Sequence, residues 1–288
     1  MSPQLIGLVA HAGKPRAGEL TRLLVEKFRS RGAEILLESE TATLIGEEGG
    51  LSVAELGRRV SMLVVLGGDG SLLRAVHQLG AAVCPVFGIN LGSLGFLTCV
   101  NSLASDEAVE AICSGKIVLS RRTLLEVVVE RRGEPVARCT GLNDAVISRG
   151  ALSRLIKLDT TIDGEELTQY NADGLIVATS TGSTAYSLSA GGPVILPKSG
   201  VFVITPICPH VLTNRSVIVS DQSEITVRPV RGHRDIMLVV DGQEPVAIEE
   251  GDLIRIRKSP HKLPLAMLPD LSFCEILRQK LKWSGSAL

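Results

Sequence analysis

The sequence predicts two domains of different class: an α/β domain with a parallel sheet and helices on both faces, then a mostly antiparallel β domain. Three observations carry this expectation. Short apolar runs alternate with helix-period segments as far as Gly115, the pattern of a sheet covered on both faces. Beyond Gly115 the runs come in pairs joined by turn dipeptides. A short amphipathic stretch, Leu271 to Trp283, closes the chain and is expected to return to the first domain as a helix. The boundaries fall at residues 1–118, with a tail of about 266–288, and at 119–265.

The elements follow in order. Leu5 to Ala10 reads as a buried strand, and Leu20, Leu23, Leu24 and Phe28 mark one face of a helix that stops at Gly32. Ile35 to Leu37 is a second strand and Leu51 to Val60 a weaker helix. Met62 to Leu66, five apolar residues, form a strand buried on both faces. Val86 to Asn90 is another strand, entering a glycine-rich turn. Val109 and Ile112 lie on a helix from Ser105 to Ser114. In the second domain Arg131 to Glu134, Asp163-Gly164 and Asp241 to Gln243 each separate two strand-like runs, which reads as three hairpins. Further strands are expected at 201–205, 215–219, 224–228 and 253–257.

Composition narrows the function classes. The 288 residues are 45% apolar, so a full core is available. Thirty basic against thirty-one acidic side chains, with aromatics at 3%, provide neither a phosphate-tracking surface nor stacking platforms, so no nucleic-acid partner is expected. No apolar run approaches the roughly 20 residues of a membrane span, and Met1 to Ala10 lacks the pattern of a signal peptide. The six cysteines, at 84, 99, 113, 139, 208 and 274, show no metal-ligand spacing and mostly lie in apolar runs. They are expected to be buried, reduced thiols of a cytoplasmic protein.

The chemistry concentrates in two stretches. The first is Gly67-Gly68-Asp69-Gly70-Ser71, between a strand and a helix. Three glycines in four positions suggest positive φ angles and a backbone bare enough for a phosphate to approach. Asp69 does not suit a passive phosphate cradle. It either caps the helix or takes the proton of an alcohol attacking a phosphoryl group, a task within reach of a weak base when the alcohol loses its proton late. His11, after the first strand, is either a capping or solvent group, the commoner case, or a catalytic candidate, and Lys14 is either a solvated lysine, the commoner case, or a phosphate contact. The second stretch, Ser180 to Pro193, has twelve small residues in fourteen. It contributes little core and offers close backbone approach with many hydroxyls, as a planar ligand bearing sugar hydroxyls requires. Asn143-Asp144 is by itself a turn, or else a pair able to hydrogen-bond a base edge or vicinal ribose hydroxyls.

Gly-Gly-Asp-Gly after a strand resembles the signature shared by NAD kinases, diacylglycerol and sphingosine kinases and 6-phosphofructokinases. Five further stretches resemble successive motifs of bacterial-type NAD kinases: Gly88 to Leu97, Asn143-Asp144, Asp173 to Pro193, Thr205 to His210 and Asp241-Gly242-Gln243, of which Asp173 to Pro193 is the one the lipid kinases and phosphofructokinases lack. The likeness spans roughly residues 5 to 275 in the right order. It implies transfer of the ATP γ-phosphate to the 2′-hydroxyl of the adenosine ribose of NAD, giving NADP. ATP is the implied donor, inorganic polyphosphate is left open, and a divalent cation, magnesium first, is implied without a confident protein ligand. The implied assembly is a homodimer or homotetramer.

By the same resemblance Asp69 is the proton acceptor, and Gly67, Gly68, Gly70 and Ser71 form the phosphate loop, with Gly70 also near the dinucleotide. Asn143, Asp144, Arg154, Asn171, Asp173, Thr184, Ala185, Tyr186, Ser189 and Gln243 fall at dinucleotide-binding positions. Two departures stand out. Asp144 is one methylene shorter than the glutamate of many relatives. Asn171 replaces a basic residue, which leaves the choice between NAD and NADH open. The competing readings are a lipid or sugar kinase using the same loop, and a non-catalytic dinucleotide-binding regulator.

Overall fold

The computed structural model describes residues 4–92, 95–98, 100–150, 155–211, 213–230, 232 and 235–283. The chain divides into two compact units, Met1–Arg121 with Leu263–Leu288, and Arg122–Lys262.

In the first unit the elements run β1 (Leu5–Ala10), α1 (Ala17–Ser30), β2 (Glu34–Leu37), α2 (Ser39–Ile45), α3 (Val53–Arg59), β3 (Met62–Gly67), α4 (Asp69–Leu79), β4 (Val86–Asn90), β5 (Val100–Asn101) and α5 (Ser105–Cys113). The strands form a parallel sheet in the order β4-β3-β1-β2, with β5 parallel to the end of β4. All six residues of β3 are buried, as a strand covered on both faces demands. Ile6, Leu8, Val64, Leu66, Phe87 and Ile89 from the strands pack with Leu24 and Phe28 of α1 in one core. Helix α3 starts with a reciprocal cap, the Ser52 hydroxyl accepting from Glu55 N and the Glu55 carboxylate accepting from Ser52 N. The register matters for function: Gly67 at the end of β3 lies opposite Asn90 at the end of β4. The glycine loop and Asn90 thus share the carboxyl edge of the sheet, where ligands of such folds bind.

The second unit is built from β6 (Val118–Arg131), β7 (Glu134–Gly141), β8 (Asp144–Arg149), β9 (Ile156–Ile162), β10 (Glu165–Ala172), β11 (Gly174–Thr179), a 3₁₀ turn at Gly182–Thr184, α6 (Tyr186–Ser189), β12 (Val201–Ile207), β13 (Val217–Ser220), β14 (Ile225–Pro229), β15 (Ile236–Val240), β16 (Val246–Ile248) and β17 (Leu253–Met267). Six of these strands form an antiparallel sheet ordered β13-β12-β11-β8-β15-β16. Strands β10, β9, β14 and the first part of β17 pair antiparallel in a second group, and β6 pairs with β7. Leu158, Tyr170, Leu175, Val177, Phe202, Leu238 and Ile254 fill the core between them. Each expected hairpin turn places two consecutive residues at positive φ: Arg132-Gly133, Asp163-Gly164 and Asp241-Gly242. That is the turn geometry matching the twist of antiparallel strands.

Strand β17 outruns the expected 253–257. Its early residues Ile254 and Ile256 pair with β14 in the second unit, and its late residues Leu265 and Ala266, which belong to the first unit, run parallel to β4 there. Pro260 and Pro264 lie inside the strand, and neither takes part in these two pairings, so no N–H of those ladders is lost. The chain ends in α7 (Phe273–Leu281), whose Phe273 ring lies 6.3 Å from that of Phe96.

The cysteine expectation needs correction. Among the described cysteines Cys84 is buried, Cys113 and Cys139 are half-buried, and Cys208 and Cys274 are exposed, all of them free thiols. An apolar sequence neighbourhood did not fix burial, because Cys208 lies past the end of β12 in a left-handed turn residue and Cys274 on the outer side of a short helix. Cys99 lies outside the described residues. Among the described residues no helix is long and apolar enough to cross a membrane.

Candidate active site

In the first unit Asp69 is the opening residue of α4. Its carboxylate accepts from two backbone amides, Phe96 N at 2.8 Å and Leu97 N at 3.1 Å, and from the Thr98 hydroxyl at 3.4 Å. The segment 95–98 is therefore folded around this one side chain. Gly95 makes that possible, since a Cβ there would lie 2.6 Å from Asp69 Oδ2 and closer still to Oδ1. The glycines of the loop play a different part from the one expected. Gly67, Gly68 and Gly70 are absent from the positive-φ residues, and Gly68 has φ −116°. A Cβ on Gly67 would overlap the Ser71 hydroxyl, whereas Gly68 and Gly70 have open space where a side chain would stand. These residues serve close packing and a bare loop surface, not left-handed backbone. Ser71 Oγ accepts from Gly68 N at 3.4 Å, which ties the loop across the first helical turn.

Asp69, Gly67, Gly68, Asn90 and Gly95 line a cleft of about 430 Å³ that also carries Lys14 and Lys280. Both lysines are exposed, and neither forms an ion pair among the described residues. Lys280 comes from α7, so the tail supplies a cation to the cleft as well as the Phe273 ring against Phe96. His11 behaves as the local cap the sequence suggested, its Nδ1 accepting from Gly13 N at 3.1 Å.

In the second unit the polar residues cluster at one end of the antiparallel sheet. Asp144 of β8 lies opposite Ala178 of β11, which places Asn143-Asp144 beside the Thr179–Gly182 turn. Thr179 Oγ1 donates to Leu142 O at 2.6 Å and accepts from Thr181 N and Gly182 N, both at 3.1 Å. Gly182 lies so close to the Asn143 backbone that a Cβ would be 2.7 Å from its Cα and nearer still to its carbonyl. Asp241, at the β15–β16 turn, accepts from Leu142 N at 2.6 Å, Asn143 N at 2.8 Å and Asp144 N at 3.0 Å. One carboxylate thus holds the whole Asn-Asp corner. Asp144 is buried, and this pushes its carboxyl up to about 7, assisted by the charge of Asp241 and opposed by the Tyr186 N–H it accepts.

This end therefore brings together Asn143, Asp144, Thr184, Ala185 and Tyr186, with Gln243 on the Asp241 turn donating to Asp241 O at 3.2 Å. Tyr186 and Ser189 of α6 are exposed. Asp173 immediately precedes β11 and Asn171 lies near the end of β10, so both stand at the opposite end of β11 from Thr179, about 20 Å away at roughly 3.3 Å per residue. There the Asp173 carboxylate pairs with Arg149 Nε at 2.6 Å. Arg154 lies outside the described residues. Among the described residues no three His, Cys, Asp or Glu side chains cluster to hold a metal ion.

Gly95, Thr98, Gly182, Asp241, Arg149 and Lys280 were not singled out from the sequence. Their roles depend on partners distant in the chain, although Gly95, Gly182 and Asp241 do fall inside stretches that carried the resemblance.

A Gly-Gly-Asp-Gly loop at the carboxyl edge of a parallel sheet, followed by an antiparallel domain with a small-residue polar corner, defines the class of glycine-loop phosphotransferases. Comparison with known proteins narrows this. The ATP-NAD kinase N-terminal domain family matches residues 6–117 and the ATP-NAD kinase C-terminal domain family residues 142–268. The NAD kinase of Syntrophotalea carbinolica is 41% identical over 279 residues, covering 96% of this chain and 98% of its own. That of Geobacter sulfurreducens is 40% identical with the same coverage. An NAD kinase from Archaeoglobus fulgidus in complex with ATP has TM-score 0.76 at 26% identity, covering 98% of this chain and 100% of its own. Yeast NADH kinase complexed with NADH matches in fold with TM-score 0.90 at 24% identity, covering 99% of this chain and 89% of its own. The chain belongs to the ATP-NAD kinase family.

Proposed function

We propose that the protein is an NAD kinase that moves the γ-phosphoryl group of ATP to the 2′-hydroxyl of the adenosine ribose of NAD. The observation that carries this reading is Asp69, a carboxylate held by two backbone amides at the lip of a cleft with two lysines that form no ion pair among the described residues. In the reaction the 2′-O–H bond breaks and its proton passes to Asp69, the oxygen bonds to the γ-phosphorus, and the bond to the β-phosphate oxygen breaks to release ADP. Lys14 and Lys280 face the donor's phosphates. Asn143, Asp144, Thr184, Ala185, Tyr186 and Ser189 bind the adenosine side, and Asn171 and Asp173 the other end of the dinucleotide. Gln243 supports the Asn-Asp corner through its turn.

A divalent cation, magnesium first, would neutralise charge on the donor. With one carboxylate in the cleft, phosphate and water oxygens would complete most of its coordination. The retained Asp69 favours an enzyme over a non-catalytic regulator. The reading includes a cytoplasmic location, which the free thiols among the described cysteines suit, and assembly as a homodimer or homotetramer. The test is incubation of purified protein with Mg-ATP and either NAD or NADH, with NADP and NADPH assayed separately and polyphosphate tried as donor. Product from neither acceptor with either donor, dinucleotide binding being intact, would favour the regulator.

A further inference from the structure

We propose that Thr98 is a positioning residue that decides which oxygen of Asp69 takes the proton, an inference that rests on the reaction proposed above. Thr98 is 2% exposed, and its hydroxyl has two acceptor sites and one hydrogen. Both acceptor sites are taken, by Asn90 Nδ2 at 2.9 Å and by Gly95 N at 2.9 Å. Among the described residues the remaining hydrogen has one partner, Asp69 Oδ1 at 3.4 Å. Asn90 is itself fixed: it ends β4 opposite Gly67, and its Oδ1 accepts from Gly92 N at 2.8 Å, which turns its NH₂ group to Thr98. The methyl group of Thr98 is seated over Gly88, where a Cβ would come within 3.0 Å of Thr98 Cγ2.

The consequence appears on counting lone pairs at Asp69. Oδ1 accepts twice, from Leu97 N and the Thr98 hydroxyl, and Oδ2 accepts once, from Phe96 N. A carboxylate offers about two acceptor sites per oxygen, so the free one is on Oδ2. The proton of the attacking alcohol goes to Oδ2. Thr98 keeps its own hydrogen throughout and relays nothing. Its work is to hold Oδ1 occupied and the carboxylate plane still, from a hydroxyl whose orientation Asn90 and Gly95 dictate.

Steady-state kinetics with Mg-ATP and NAD test this on wild type, Thr98→Val, Thr98→Ser, Asp69→Asn and the Asp69→Asn/Thr98→Val double variant. Thr98→Val should lower kcat about 10- to 100-fold, the usual effect of a misplaced reacting group, with both KM values within about twofold. Thr98→Ser should recover kcat to within about threefold of wild type. In the Asp69→Asn background Thr98→Val should change residual turnover by less than about threefold, because the group it positions is gone. A hydroxyl that only supported the fold would cost as much in either background. If Thr98→Val does not fold at the assay temperature, Thr98→Cys, a weaker hydrogen-bonding group in the same space, should show the same ordering. An intact kcat in Thr98→Val beside an inactive Asp69→Asn would overturn the role of Thr98 and leave the proposed reaction standing. Wild type that forms no NADP would remove both.

Discussion

Gly95 sits so close to the carboxylate of Asp69 that no side chain fits between them: a Cβ on Gly95 would lie 2.6 Å from Oδ2 and nearer to Oδ1. The clash is with the mobile end of a side chain, so the fold can survive by moving Asp69 aside. Gly95→Ala should therefore leave the melting temperature within a few degrees while displacing the carboxylate from Phe96 N and Leu97 N. The expected loss in kcat is about 10²- to 10⁴-fold, the worth of a general base. Unchanged turnover with an unchanged fold would show that Asp69 tolerates displacement.

Gly182 presents the opposite case, since its neighbour is the backbone of Asn143. Backbone cannot step aside cheaply. Gly182→Ala should destabilise the protein by about 1–3 kcal/mol, the usual range of overpacked core sites, and raise the KM for NAD several-fold by spreading the Asn143-Asp144 corner. Denaturant unfolding and NAD titration check both parts. A stability loss with NAD affinity untouched would detach the corner from the dinucleotide.

What the sequence made legible followed from local signals. The buried run Met62 to Leu66 before three glycines announced β3, the loop and α4, and Asp163-Gly164 announced a hairpin found with both residues at positive φ. The positive φ expected of the loop glycines is absent, while the bare backbone expected beside it stands at Gly68 and Gly70; glycine has two uses, and only coordinates distinguish left-handed backbone from close approach. Helix α2 escaped notice because its start depends on Glu38 turning its carboxylate back to Glu40 N and Thr41 N, with no apolar stripe to mark it. Asp241 lies 97 residues beyond the Asp144 amide it holds, and Lys280 reaches the cleft only through the docking of α7. Residues whose role is to hold another residue leave no pattern of their own in one sequence.

Asp144 makes pH a probe of the second unit. Its carboxyl is pushed up to about 7 by burial first and the Asp241 charge second, against about 3.9 in an unfolded chain. Between these values the folded state binds more protons than the unfolded one. Its share of stability therefore falls as pH rises from about 4 to about 7 and is level above. Asp144→Asn should lack this slope, so its stability relative to wild type should grow across that window by up to about 1.4 kcal/mol per pH unit. Urea unfolding of both proteins at pH 5 and pH 7.5 measures it. Parallel pH curves would mean that Asp144 does not titrate there.

Lys280 tests the part assigned to the tail. Lys280→Ala should raise the KM for ATP about 3- to 30-fold, with the KM for NAD within about twofold, and the defect should shrink in low salt, where the remaining Lys14 is less screened. A defect confined to NAD would move Lys280 to the acceptor side.

The most direct measurement compares wild type with Asp69→Asn, following NADP formation from Mg-ATP and NAD beside NAD binding by calorimetry. The account predicts turnover lower by about two to four orders of magnitude with NAD affinity within a few-fold. Wild-type turnover in the Asp69→Asn protein would contradict it.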